Sequence, residues 1–168
     1  SISVIIYFYK SNSNSNYYTQ KSGFNNSSDT QTNFISSNPS TNITPHIVET
    51  EISNFSTRIQ NKKDLNRQGN ITITCSALNN TTVPSGKTFS FCDTVGQSTE
   101  ERGYKKANVI VQGTEIKGLG GGNCQVSSTL YNAVLAIPEL EIIERHPHSA
   151  PVPYIEEGKD AAVSYRFS

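Results

Sequence analysis

Apolar residues recur at three- and four-residue steps through Val126, Leu130, Val134 and Ile137. That spacing lines one face of an α-helix and predicts one from Cys124 to about Ala136, stopped by Pro138. A weaker pattern places Ile71, Cys75 and Leu78 on one face and predicts a helix over residues 66–80, against the preference of Gly69 and several threonines. Elsewhere the period shortens. Thr88 to Cys92 alternates aromatic and polar residues and predicts a strand, entered from the turn Pro84-Ser85-Gly86-Lys87. Asn108 to Gln112 predicts another strand, folded back by Gly113-Thr114 onto Glu115-Ile116-Lys117 as a hairpin. Leu140 to Glu144 and Ala161 to Phe167 also read as strands, and the polar, glycine-punctuated segment Asp93 to Tyr104 reads as a loop. The expected class is α+β, with a small mixed or antiparallel sheet and a buried helix starting at the Cys124 loop.

The domain is expected to span residues 49–168. Residues 10–48 are mostly Ser, Asn, Thr and Gln. Such a segment buries too little apolar surface to offset its ordering entropy, which predicts a disordered linker. Residues 1–9 are largely apolar and end before Lys10. They are too few to span a bilayer, which needs roughly twenty, and read as the remnant of a membrane anchor, with a short strand as the alternative.

Composition narrows the function classes. The formal net charge is zero, and lysines and arginines form no cluster, which argues against a nucleic-acid partner. No cofactor is expected. The three cysteines, Cys75, Cys92 and Cys124, leave at least one unpaired thiol. Cys75 and Cys92 read as small core or edge residues, with a bridge between them left open.

The chemistry concentrates in Gly118-Leu119-Gly120-Gly121-Gly122-Asn123-Cys124-Gln125. A glycine turn feeds a helix whose first turn carries Cys124. Unpaired N–H groups there favour a thiolate, and Gly121 and Gly122 leave space for a substrate. About twenty residues on, Arg145-His146-Pro147-His148-Ser149 supplies candidate bases. His146 and His148 flank Pro147 and would point to one side of an extended chain. Asp160 is either the third member of a triad that fixes the histidine tautomer or the cap of a turn. Ser128 lies one helical turn beyond Cys124 and, with Gln125, supports the site at most. A zinc site of Cys124, His146 and His148 is a rival use of the same residues, although the spacing is no zinc signature.

These motifs carry a resemblance. Phe55-Ser56-Thr57, Asn66-Arg67 with Asn70-Ile71, Pro84 to Phe91, Val95-Gly96, Thr99, Arg102-Gly103-Tyr104, Gly120 to Ala133, Glu144 to Ser149 and Gly158 to Ala161 follow one another as in the VanW domain family. The chain departs from the family at Cys92, where asparagine is usual, and at Ser98, often arginine. The resemblance implies a bacterial envelope protein outside the cytoplasm, tethered to the membrane and meeting peptidoglycan stem peptides. Some members look like cysteine-dependent L,D-transpeptidases. On that basis Cys124 would form a thioester with a stem peptide, His148 would be the base with Ser149 orienting it, and an amine would resolve the thioester. Arg102 and Arg145 would bind stem-peptide carboxylates, with Tyr104 lining the groove; structural ion pairs are the other use of these arginines. A non-catalytic wall-binding module and a hydrolytic cysteine peptidase are the alternatives.

Overall fold

The computed structural model describes residues 2–10, 16–23, 48–111 and 113–165. Among the described residues, two antiparallel sheets and three helices give an α+β arrangement. Strands β1 (Ile2–Lys10), β2 (Asn16–Gly23), β3 (Val48–Thr57) and β4 (Thr81–Pro84) form one sheet in the order β3-β1-β2-β4. Strands β5 (Lys106–Val111) and β6 (Thr114–Leu119) form a separate hairpin. Between them lie α1 (Leu65–Leu78), α2 (Phe91–Val95) and α3 (Asn123–Leu135).

The periodic segments formed as their spacing dictates. In α1, Asp64 caps the start by accepting the Arg67 amide at 2.9 Å, and Ile71, Cys75 and Leu78 are buried. They join Ile2, Ile59, Val95 and Val126 in one apolar cluster, against which Phe89 and Phe91 pack. A second cluster gathers Leu130, Ala133 and Ile137 with Ile52 and Phe55 of β3. Each such side chain contributes on the order of 1.5–3 kcal/mol by leaving water. Polar contacts set how α3 lies on β3: Ser53 Oγ donates to the Ala133 carbonyl at 2.6 Å, and the Thr57 and Thr129 hydroxyls meet at 2.8 Å. The turn at Pro84–Lys87 closes through the Lys87 amide and the Pro84 carbonyl at 3.1 Å.

Several expectations differ from the structure. Thr88 to Cys92 is not a strand. Ser90 accepts the Asp93 amide at 3.2 Å and caps α2, so local capping overrides the aromatic alternation. Leu140 to Glu144 has no strand pairing, and neither do Ala161 to Tyr165; the rest of the latter segment lies outside the described residues. Residues 1–9 were expected as an anchor remnant and 10–48 as a linker. Ile2–Lys10 and Asn16–Gly23 are instead paired strands, because backbone pairing on both sides supplies what a polar composition does not. Residues 11–15 and 24–47 lie outside the described residues. Among those described, no helix is long and apolar enough to cross a membrane.

Candidate active site

The glycine loop sets the start of α3 by close packing. A Cβ on Gly121 would stand 2.7 Å from the Asn108 carbonyl oxygen of β5. One on Gly122, whose φ is +118°, would stand 2.8 Å from Ile71 of α1. Both residues are buried. The glycines therefore seat the loop between β5 and α1, where the sequence suggested room for a substrate. Asn123 fixes the same point: its carbonyl accepts Thr74 Oγ1 at 2.7 Å and its amide donates to Ser98 Oγ at 2.9 Å. Cys124 follows in the first helical turn, half-buried, with its own N–H among those no preceding helical carbonyl accepts.

The irregular segment 145–163 then folds over this end of α3, and side chains of α3 hold it. Ser127 Oγ donates to the Ala161 carbonyl at 2.5 Å, Ser128 Oγ accepts the Ala161 amide at 2.9 Å, and the Asn132 amide donates to the Lys159 carbonyl at 2.7 Å. These contacts bracket Asp160. Its Oδ2 receives the His148 backbone N–H at 2.6 Å and lies 2.5 Å from His148 Nδ1, and its Oδ1 receives Arg145 Nη2 at 2.9 Å. The strongest influence on the His148 ring is the Cys124 side chain, which places the sulfur beside the imidazole. A carboxylate on Nδ1 fixes the tautomer that leaves Nε2 to the sulfur. The side chains of His148 and Asp160 are 8% and 9% exposed, so the relay is shielded from water.

Charge follows this geometry. The hydrogen bond to Cys124 raises the His148 pKa above its ordinary value; burial opposes it, and Asp160 adds to the rise. Burial pushes the Asp160 carboxyl up, but the N–H groups and charge of His148 outweigh it and hold it below the usual carboxylate range. Tyr154, which the sequence did not single out, lies within the field of Cys124 and Asp160 and bonds to Ser128. Burial first, then the Cys124 charge, keep its phenol above the usual range and so neutral at physiological pH. The Val163 amide and carbonyl each lie 3.5 Å from the Cys124 sulfur.

The remaining expected site residues separate clearly. His146 is 70% exposed and pairs with Glu144 at 2.6 Å, outside the relay. Among the described residues no group of three or more His, Cys, Asp and Glu side chains is placed to hold a metal. Tyr104 is 1% exposed with its hydroxyl 3.0 Å from Thr74 Oγ1, and the pocket it borders is lined by Asn66, Glu100, Gly103, Lys105 and Lys106, not by Cys124 or His148. Gln125 is equally buried and joins Thr57, Arg58 and Arg67. Arg102 caps carbonyls of its own loop at Val95 and Gln97, at 2.6 and 2.5 Å. Arg145 is turned toward Asp160. Ser149 is exposed and lines a pocket of about 250 Å³ beside His148 and Asp160. None of the three cysteines is in a disulfide, and burial pushes Cys75 up to about 11. The clamp of Ser127, Ser128 and Asn132 was missed as a unit. Its signal was present: Ser128 and Asn132 stand four and eight residues beyond Cys124, on the same helical face.

The family described as VanW like protein matches residues 66–168. The chain is 42% identical over 120 residues to a Bacillus subtilis (strain 168) protein named Uncharacterized protein YoaR, covering 71% of this chain and 39% of that one. It is 33% identical over 104 residues to the Vancomycin B-type resistance protein VanW of Enterococcus faecalis (strain ATCC 700802 / V583), covering 59% of this chain and 38% of that one. The chain thus spans about two fifths of the length of these relatives. No solved structure matches. With the match extending from α1 through the glycine loop to Asp160, the chain belongs to the VanW-like protein family.

Proposed function

We propose that this domain is a cysteine acyltransferase of the bacterial cell envelope that joins peptidoglycan stem peptides. The observation that carries the reading is the placing of the half-buried Cys124 beside a His148 ring whose Nδ1 is held by Asp160, at the start of α3. Membership of the VanW-like family supports a cell-wall role related to vancomycin resistance.

The chemistry follows from the residues. With the proton on His148, the Cys124 thiolate attacks the carbonyl carbon of a stem-peptide amide. The oxyanion forms beside the backbone N–H of Cys124; those of Asn123, Gln125 and Val126 already reach the Gly120 and Gly122 carbonyls. The C–N bond breaks as His148 Nε2 gives its proton to the departing amine. An acceptor amine then attacks the thioester, His148 takes its proton, and the new amide forms as the thiolate leaves. Asp160 keeps the ring aimed and stabilises its protonated form through both half-reactions. Water in place of the amine would give hydrolysis by the same steps.

One observation favours a second reading, a wall-binding module without catalysis: the Val163 backbone lies against the sulfur on which a substrate would have to act. Incubation with purified stem peptides and an amine acceptor separates the readings. Acyl transfer yields a cross-linked peptide and a released amino acid, a peptidase yields only the released amino acid, and a binding module yields neither while retaining the peptide.

A further inference from the structure

We propose that Arg145 is a positioning residue for the Cys124–His148–Asp160 relay and not an anchor for a substrate carboxylate. The inference deepens the acyltransfer reading and rests on it for its catalytic meaning, but its geometry stands alone. Arg145 Nε donates to the Asp160 carbonyl at 2.7 Å. Nη2 donates to Asp160 Oδ1 at 2.9 Å and to the Gly158 carbonyl at 3.0 Å. Both hydrogens of Nη2 and the one on Nε are therefore committed. A bidentate grip on an incoming carboxylate needs two adjacent nitrogens with N–H groups to offer. Here only Nη1 remains, so the fork is closed by the protein's own chain. The guanidinium also lies 5.7 Å from the Tyr131 ring centroid of α3 and is 23% exposed.

The grip divides the two oxygens of Asp160. Oδ1 belongs to Arg145, and Oδ2 receives both the amide of His148 and its ring nitrogen. Turning the carboxylate out of this plane would break all three bonds. Arg145 and His148 come from one segment that has no strand pairing. The arginine therefore does what a sheet ladder would otherwise do: it locks that segment to Asp160, while Ser128 and Asn132 lock Asp160's neighbours to the helix bearing the nucleophile. Removing the arginine frees the Asp160 carboxylate to turn, and with it the aim of the His148 ring toward Cys124.

A neutral alkylating reagent tests this, because iodoacetamide carries no carboxylate for Arg145 to bind. In Arg145→Ala, alkylation of Cys124 at pH 7 should slow about tenfold, part of the 10²–10⁴ that a positioned base supplies. Nitrogen-15 NMR of His148, recorded at a pH where the ring is neutral, should show the Nδ1–H tautomer losing its dominance. With stem peptides, kcat should fall and KM stay unchanged. Arg145→Lys keeps the charge without the three-bond grip, and should fall between wild type and Arg145→Ala. A folded Arg145→Ala that alkylates at the wild-type rate with an unchanged tautomer overturns the proposal, as does a variant that only raises KM. If Arg145→Ala does not fold, Arg145→Lys decides: wild-type values in both readouts would mean that the grip is dispensable. The alkylation and NMR readouts need no substrate. A wild-type chain that forms no stem-peptide adduct would therefore reject acyl transfer without touching the Arg145 result.

Discussion

Two buried polar clusters meet at the start of α3, and they differ in what their groups can do. On the α1 side, Asn70 donates to the carbonyls of Lys105 and Gly121 and accepts the Lys105 amide. Thr74 joins Asn123 and Tyr104. Amides and hydroxyls close on one another there, and none of these groups changes charge near neutral pH. On the other side, His148, Asp160 and Arg145 are as tightly bonded, yet here the bonds hold an imidazole, a base, beside the Cys124 sulfur, a nucleophile. Hydrogen bonding alone therefore does not mark an active site. The mark is hydrogen bonding that holds a nucleophile and a base in fixed relation. The first cluster places the helix; the second uses the placement.

The comparison breaks first at His148. His148→Gln should lower the rate of Cys124 acylation by about 10²–10⁴ while leaving the melting temperature close to wild type. A loss of folding equal to the loss of rate would make both clusters scaffolding. The opposite behaviour is expected across α3. Asn70→Ala leaves buried partners unpaired, at about 1–3 kcal/mol for each group. Measured by chemical denaturation, it should lose that stability but keep the wild-type alkylation rate of Cys124 per folded molecule. Gly121→Ala forces a Cβ to within 2.7 Å of the Asn108 carbonyl and should cost about 1–3 kcal/mol by overpacking. Because this shift moves the start of α3 itself, it should also slow alkylation, which Asn70→Ala should not.

The smallest effect is the pH dependence. The folded pKa of His148 is raised above its unfolded value of about 6.5. The stabilisation of the protonated ring is therefore complete below that unfolded value and is lost as pH rises through the folded one. Thermal melts of wild type and His148→Gln should differ most below about pH 6.5 and converge as pH rises. A gap that widens with pH would place the protonated ring in the unfolded state instead.

The sequence made some of this legible and hid the rest for identifiable reasons. Val126, Leu130 and Val134 announced α3 because one buried face repeats at helical spacing, and Gly113 announced the β5–β6 hairpin. Cys124 and His148 were visible as residue types suited to the chemistry, and Asp160 as a candidate with two uses. The Phe89–Phe91 alternation misled because Ser90 caps a helix, and a cap outweighs so short a pattern. β2 was invisible because its stabilisation comes from backbone pairing with β1 and β4. Tyr104, Gln125 and Arg102 were assigned to substrate because their chemistry suits a ligand. A sequence does not show that Thr74, Thr57 and the carbonyls of Val95 and Gln97 already satisfy them. Arg145 kept two uses, substrate anchor or structural ion pair, because its partner Asp160 lies fifteen residues further along the chain.

Intact-mass analysis of the chain after incubation with purified stem peptides tests the central claim most directly. The account predicts a covalent adduct of one acyl group, mapped to Cys124, absent in Cys124→Ala and discharged by an added amine. Retained binding of the peptide with no adduct, in a protein whose Cys124 still alkylates, would contradict it and leave the second cluster as a binding pocket.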